Sequence, residues 1–399
     1  MEVLKQTKHQ PMTGHTDDIL SRDSINLLLE NGLADGLPRI AELLMNAAMI
    51  IERSSHLQAG PHERTEQRNG HANGFKPRGL ATSLGKLGLQ VPQVRDSTSP
   101  FKTSLLESGS RVDRALKAAI AEMYLQGVST RRVTKVVEEL CGTQISSTQV
   151  SRLTSELDVE FEKWRNRPLE PVAFLILDAT YVKVRMDGAV RDCAILTAIG
   201  VRHSDGKRVV LGVSCALSEA EAHWRKFLKT LKERGIGIPD LVTSDAHEGL
   251  KAALRATLNA SPWQRCQFHL QQNAQAYVPR LEYRAKVAAD IRSVFHAPDL
   301  AHAQLRLEEI VTKWREKSVK LADWMEANLP EGFRVFALPE HQRRRLRTSN
   351  MTERIHREIK RRTKVAGLFP NEASVLRLVT AIHIETSEDW ETGRAYLTI

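Results

Sequence analysis

The chain has 399 residues, with 58 Lys and Arg against 48 Asp and Glu, a formal net charge of +10 with His neutral. Hydrophobic residues at 41% and charged residues at 27% exclude global disorder, and the length fits two to three domains of ~100–200 residues each. No apolar run approaches the ~20 residues of a membrane span, so no membrane partner is expected. Residues 1–18 are polar and lack the apolar stretch of a secretory signal. Cys141, Cys193, Cys215 and Cys266 lie far apart with no CxxC, which argues against a disulfide framework and fits a reducing cytoplasm. The positive excess admits nucleic acid as a partner and does not establish it.

Residues 1–60 read as a polar tail followed by helix. Leu27-Leu28-Leu29 and the stretch from Ile40 to Ile51 are apolar at helical spacing, and Pro38 marks a helix start. Residues 61–110 read as a small β-containing module. His62 to Lys86, rich in Gly, Arg and Asn, suits turns and loops, and Leu87-Gly88-Leu89-Gln90-Val91 predicts one short strand closed by Pro92.

From Arg111 the period becomes helical. Leu116, Ile120, Met123 and Tyr124 form one apolar stripe, and Gly127 ends that helix. Ser129 is placed to cap a second helix, with Val133, Val136, Val137 and Leu140 on one side. After the Cys141-Gly142 turn, Ser146 or Ser147 caps a third, with Val150, Leu153 and Leu157 inward. Over 111–165 this order fits a helix-turn-helix-like DNA-binding domain, with Arg131, Arg132, Gln149, Ser151 and Arg152 outward. An ordinary helical bundle has the same periodicity.

After Pro171 the pattern is β. Val172 to Leu177 is a continuous apolar run, as a strand buried on both faces requires. It continues through Val184 to an Asp187-Gly188 turn, followed by strands over Cys193 to Val201 and Val209 to Val213. Glu219 to Arg234 predicts an amphipathic helix with Trp224, Phe227, Leu228 and Leu231 inward. Leu241 to Ser244 predicts a strand, Glu248 to Leu258 a helix and Trp263 to Phe268 a fifth strand. Three antiparallel strands, then helix, strand, helix and strand, is the order of an α/β ribonuclease-H-like domain with a mixed sheet, here over 166–270. Residues 271–335 read as an all-helical insertion anchored by Trp314 and Trp324. Residues 336–399 read as the second part of the α/β domain, ending in a helix from Asn371 to about Glu385 that buries Val375, Leu376, Leu378, Val379 and Ile382.

Three acids are chemically notable. Asp178 ends the strongest apolar run, and Asp245 lies one step past the Leu241–Ser244 strand. A carboxylate among apolar strand residues is costly unless it is paired or binds a cation. Two that approach within a few ångströms must share a proton or metal ions, and Mg²⁺ suits such oxygens. Structural roles compete: Asp178 beginning a turn, Asp245 capping the next helix. The third acid is Glu353 in Asn350-Met351-Thr352-Glu353. Asn350 and Glu353 resemble a capping box; alternatively the helix start brings Glu353 to the other two. Arg357, Lys360, Arg361 and Lys364 share its face, as they would on a solvated charged helix. Between His341 and Lys364 there are ten Lys and Arg and two acids. Cys266 and His269 have zinc-ligand spacing, but a structural zinc needs four ligands. Cys193, Cys215 and His247 would have to join them; a buried Cys and a hydrogen-bonded His at a strand end is the simpler account. No GxSxG or P-loop pattern occurs.

These motifs resemble the Mutator-like transposases of bacterial insertion sequences, a branch of the DDE superfamily. The matching stretches are Leu177-Asp178-Ala179-Thr180-Tyr181-Val182-Lys183, Ser244-Asp245-Ala246-His247-Glu248-Gly249-Leu250, Trp263 to His269, Asn350 to Arg354, Glu358 to Thr363 and Phe369-Pro370-Asn371. The resemblance covers the chain from about residue 60. It implies that Asp178, Asp245 and Glu353 are catalytic and bind two Mg²⁺ ions, for which Mn²⁺ can substitute. It makes Cys266 and His269 a signature pair of unassigned role, and implies multimers, a homodimer or larger, that synapse two ends with a circular element intermediate.

The expected activity is binding of terminal inverted repeats in double-stranded DNA, cleavage at the element ends, and joining of the 3′-hydroxyl to target DNA by two-metal-ion phosphoryl transfer. Arg343, Arg344, Arg345, Arg347, Arg357, Lys360, Arg361 and Lys364 are expected on phosphates, in a bacterial, nucleoid-associated cytoplasmic protein. Two alternatives stand: a nuclease of the same fold that cuts without joining, and a non-catalytic DNA-binding regulator.

Overall fold

The computed structural model describes residues 22–186, 188–366 and 368–399. The polar tail over 1–18, Asp187 of the expected Asp187-Gly188 turn, and the side chains of Leu27 and Leu28 lie outside the described residues. Backbone contacts divide the chain into two compact units. One comprises residues 22–124 and 130–154, the other 125–129 and 155–399.

In the first unit, α1 runs from Arg22 to Leu57 and is interrupted at Gly32, whose φ of 69° is left-handed. Pro38 therefore falls inside the second stretch of α1 rather than at its start. Strands β1 (His71–Thr82) and β2 (Gly85–Arg95) form an antiparallel hairpin. Two strands stand where one short strand and a loop were expected. The reason is physical: β1 is exposed along most of its length, so Gly, Asn and Arg occupy it without the alternation that marks a half-buried strand. β2 also runs on through Pro92, opposite Phe75 beside a register shift, where a missing N–H is tolerated. Met49 of α1 packs with Leu80, Leu87, Leu89 and Leu106 to make the core here.

Helices α2 (Arg114–Leu125), α3 (Thr130–Cys141) and α4 (Ser147–Ser155) follow. Leu116, Ile120, Val133, Val137, Val150 and Leu153 are buried as the spacing predicts, but Leu140 is 77% exposed. Its place at the last turn of α3 carries it past the packed stripe. Ser146 accepts from the N–H of Gln149 (3.2 Å) and donates its own N–H to the Gln149 side chain (2.8 Å), a reciprocal cap of α4.

The second unit is built on a five-stranded sheet of order β5-β4-β3-β6-β7. β3 (Val172–Met186), β4 (Ala189–Arg202) and β5 (Arg208–Ala216) are antiparallel; β6 (Leu241–Ser244) and β7 (Trp263–Arg265) run parallel to β3. α5 (Asp158–Asn166) precedes the sheet. α6 (Glu221–Glu233) and α7 (Glu248–Thr257) cover one face, where Trp224, Phe227, Leu228, Leu231, Leu250 and Leu254 meet Leu175, Leu177 and Leu196. Gly249 of α7 lies so near the backbone of residues 219–221 that an added Cβ would sit 2.3 Å from the Glu219 carbonyl oxygen. Gly249→Ala is accordingly expected to destabilise the fold by ~1–3 kcal/mol, read as a lowered urea midpoint with unchanged slope. A wild-type midpoint would refute the close approach.

Residues 267–346 leave the sheet as helices α8 (Gln267–Ala274), α9 (Arg284–Phe295), α10 (Leu300–Arg315), α11 (Val319–Asn328) and α12 (Glu340–Leu346). They enclose a core of their own in which Trp314 is fully buried and Trp324 partly so. The expected strand over Trp263 to Phe268 stops at Arg265. The N–H of Cys266 still bonds the Ser244 carbonyl at 2.7 Å, but Gln267 already begins α8. The two ends of this helical stretch are tied. Gln267 bonds the Arg347 carbonyl through its N–H (2.9 Å) and the Gly332 carbonyl through its side chain (2.9 Å), and the Val335 N–H bonds the Gln264 side chain (2.9 Å).

α13 (Asn350–Ala366) and α14 (Glu372–Thr392) close the other face of the sheet, with Ile355, Ile359, Val375, Leu378, Val379 and Ile382 against Ile176, Val184, Ile195 and Ile199. α14 runs past the expected Glu385 because Trp390 is also buried. Its His383 is wholly enclosed. Nδ1 lies 2.5 Å from the Val379 carbonyl, so Nε2 is left to accept from the Thr197 hydroxyl at 3.0 Å. Burial, against the Val379 bond, pushes its pKa down to about 4. A depressed base binds fewer protons folded than unfolded. Its contribution is complete above about pH 6.5 and is lost on acidification toward 4. Denaturation midpoints should fall through that window, and less steeply in His383→Gln; equal profiles would refute this.

Candidate functional site

β3 is buried on both faces through Leu177; beyond that residue its burial alternates. The change occurs where β6 ends at Ser244, beyond which β3 keeps β4 and, at Val184, a single bridge to Phe369. Asp178 stands at that point, within the strand and opposite Thr197, so it does not begin a turn. The parallel register Phe174↔Leu241, Leu175↔Val242, Ile176↔Thr243 carried two residues further sets Asp178 beside Asp245 on one face of the sheet. Ligand sites in open sheets form at such strand ends.

Asp178 is largely buried. One oxygen accepts from the Ala179 N–H at 3.0 Å, the other meets the Thr352 hydroxyl at 2.5 Å. Burial pushes its pKa up; the bonds from Thr352 and Ala179 and nearby His269 oppose this, while Asp245 adds to it. The Thr352 hydroxyl also lies 2.6 Å from the Ser349 carbonyl. The one hydroxyl proton is shared between these two acceptors. Asp245 is more open, with Oδ1 on the Ala246 N–H at 2.7 Å. It does not cap α7, whose cap position is His247.

Two histidines complete the surroundings. His269 Nδ1 lies 4.0 Å from Asp245, and His356 Nδ1 lies 3.8 Å from Asp178. His269 is pushed up to about 9, first by the Cys266 thiol beside it and further by Asp245 and Asp178, against the pull of burial. The thiol shifts oppositely: burial raises it, but His269 and Ser349 carry it below its ordinary value. Among the described residues, His269 Nδ1 is buried with no hydrogen-bond partner. His356 is driven down to about 4 by burial, then by Lys360 and His269, so it stays neutral, and its buried Nε2 is also unpartnered. Cys266 accepts from the Ser349 N–H (3.3 Å) and hydroxyl (3.5 Å), tying the start of α8 to the start of α13.

Glu353 is exposed, one residue after Thr352. α13 begins at Asn350, so Ser349 takes the preceding position and the capping box expected from Asn350 does not form there. Among the described residues no three His, Cys, Asp or Glu side chains are grouped to hold a metal ion. Cys193, Cys215 and His247 do not gather with Cys266 and His269, and Glu353 does not close on the two aspartates in this conformation. Thr352 and His356 are the neighbours that reading the sequence missed. They sit beside the buried stripe Met351, Ile355 and Ile359, a polar pair at i and i+4.

The expected DNA-facing residues separate by environment. Arg131, Arg132, Arg152, Arg344, Arg357, Lys360 and Lys364 are exposed. Gln149 is exposed, but its side chain caps α4. Arg343 is occupied structurally, donating to the Leu338 carbonyl (2.8 Å) and the Pro298 carbonyl (2.5 Å). Arg345 lies over the Tyr396 ring, Arg361 forks onto Glu358 (2.8 and 2.6 Å), and Arg347 is half-buried.

The model of the family described as "Transposase, Mutator family" matches residues 13–393. The chain is 52% identical over 372 residues, 93% of this chain and 95% of the relative, to the transposase for insertion sequence element IS406 of Burkholderia multivorans. It is 39% identical to that for ISRM5 of Rhizobium meliloti (94% and 93%), and 33% identical to that for IS256 in transposon Tn4001 of Staphylococcus aureus (95% and 97%). Matches of this extent, across the sheet and both carboxylate-bearing strands, establish that the chain belongs to the Mutator family of transposases.

Proposed function

We propose that this transposase binds the terminal inverted repeats of its own element in double-stranded DNA, cleaves at the ends and joins the 3′-hydroxyl to target DNA. The observation that carries this is the in-register placement of Asp178 and Asp245 at the edge where the sheet narrows, beside the α13 start that bears Glu353. The strand order supports a ribonuclease-H-like class for the sheet. The working division is 1–60 helical, 61–110 small β module, 111–165 helix-turn-helix-like, 166–270 and 336–399 catalytic, with 271–335 inserted.

The donor set fits a divalent cation. Two carboxylates share one face, Asp178 is largely buried beside a neutral His356 at 3.8 Å, and hard oxygen donors suit Mg²⁺ or Mn²⁺. Asp178, Asp245 and Glu353 would hold two such ions, which when bound would supply the Lewis acidity that phosphodiester exchange requires. The chain's own groups do the rest. Thr352 and the Ala179 N–H fix the Asp178 carboxyl, and the Ala246 N–H fixes Asp245. His269, whose pKa is raised beside Cys266, Asp245 and Asp178, stands at the same strand ends. No carboxylate acts as a nucleophile, so no protein–DNA bond forms. The exposed cations of α12 and α13 are assigned to backbone phosphates, and pairing of two ends calls for a dimer or larger multimer on DNA in the bacterial nucleoid.

Incubation with pre-cut end duplexes and plasmid target tests the joining step. Joined product is expected; hydrolysis without joining would overturn this reading in favour of a nuclease. Among the described residues no helix is long and apolar enough to cross a membrane.

A further inference from the structure

The first unit contains a cleft of about 890 Å³ between the β1–β2 hairpin, residues 109–112 and the turn that leads into α4. Its cations come from three separate chain segments: Lys76 and Arg78 on β1, Lys86 on β2, and Arg111 on the connecting strap. No Asp or Glu lines it. The nearest acid in sequence, Asp113, is turned to other work, accepting from the N–H groups of Leu116 (2.6 Å) and Ser83 (3.1 Å).

The four cations are not equivalent. Arg78 is spent on the fold: its guanidinium donates to the carbonyls of Glu107 (2.7 Å) and Ser110, clamping the strap to the hairpin. The strap is further paired to β1, Ala81 N–H on the Arg111 carbonyl and Asp113 N–H on the Ala81 carbonyl, each 2.8 Å. Arg111 is thereby held in place by its backbone while its side chain is exposed. Lys76, Lys86 and Arg111 make no ion pair or side-chain hydrogen bond among the described residues. Three unpaired positive charges around one concavity raise its positive potential, which favours an anion there.

We propose that this cleft is a second DNA-binding surface of the end-binding unit, in which Lys76, Lys86 and Arg111 contact backbone phosphates of duplex DNA. This rests on the reading of the chain as an end-binding transposase whose helices over 111–157 and preceding β module meet the end DNA, and it adds the residues of the hairpin and strap that take the backbone. The occupant is the sugar–phosphate backbone, because the lining offers charge from three directions and no aromatic side chain on which an unstacked base would lie. Phosphate recognition of this kind sets register and affinity without reading sequence.

The test uses the full chain and two labelled 40-base-pair duplexes, one carrying the element's terminal repeat and one scrambled. Affinity is measured by anisotropy against salt. Lys76→Ala/Lys86→Ala/Arg111→Ala is expected to bind both duplexes more weakly by the same factor, tenfold or more at moderate salt. Its slope of log affinity on log salt should be shallower by about 2 to 3, at ~0.9 for each phosphate that is no longer neutralised. Lys76→Gln/Lys86→Gln, which leaves the strap untouched, should show about two-thirds of that change with a wild-type unfolding transition. Wild-type slopes in both variants would overturn the proposal alone. Failure of the wild type to prefer the terminal-repeat duplex would instead overturn the end-binding reading. Weakening confined to the terminal-repeat duplex would also overturn the proposal, since it would make the cleft a reader of bases.

Discussion

Asp178→Asn, Asp245→Asn and Glu353→Gln are each expected to bind end DNA with near wild-type affinity and to cut it at least ~10³-fold more slowly, as loss of a ligand to a catalytic ion does. The amides are chosen for what they keep. At position 178 an amide oxygen still accepts from the Ala179 N–H, and Thr352 still finds a polar partner. What disappears is the negative charge, which burial already disfavours in the free protein. Asp178→Asn should therefore be no less stable than wild type, and its thermal midpoint should hold or rise, because an unfavourable buried ionisation is gone. Glu353→Gln isolates the residue that stands apart from the aspartates. Cleavage is followed on end-labelled duplex with Mg²⁺ and binding on the same duplex without it. Cutting within tenfold of wild type by any one variant would remove that residue from the catalytic set.

The second large effect is expected at Thr352. Thr352→Val keeps the branched shape in a fully buried position but removes the hydroxyl at 2.5 Å from Asp178. The carboxyl loses the partner that fixes its rotation. Cleavage should fall by ~10- to 100-fold, the range seen when an outer partner of a metal ligand is lost. Thr352→Ser should restore most of it. On the proposed reading Thr352 positions a metal ligand, so the Mg²⁺ concentration for half-maximal cleavage should rise in the valine variant and return in the serine variant. A lower rate with unaltered Mg²⁺ dependence would show a packing effect instead.

How much of this could be read in the residues follows from burial. β3 and α6 were legible because a strand covered on both faces and a helix covered on one leave unmixed patterns. The strand order of the sheet and its two aspartates followed. The hairpin of β1 and β2 was not legible, since β1 faces solvent and its Gly and Asn obey turn statistics. Trp263 to Phe268 was misjudged beyond Arg265 for the opposite reason: Cys266 and Gln267 are as buried in a helix start as they would be in a strand. Thr352 and His356 were hidden because a hydroxyl and an imidazole on a strongly basic helix look solvated until the neighbouring strand is in place. Glu353 was visible as an acid among cations, and it stands exposed in the first turn of α13.

The thiol of Cys266 and the hydrogen bonds of Gln264 and Gln267 fasten the departure of the helical stretch to its return. Topologically that makes residues 267–346 a closed detour, sealed at its neck. Whatever lengthens, shortens or reshapes the far side of the detour is isolated from the seal, so the acids on either side keep their spacing while the excursion diversifies. A guest peptide spliced into one of its outer turns should therefore leave the sheet and the spacing of Asp178 and Asp245 intact.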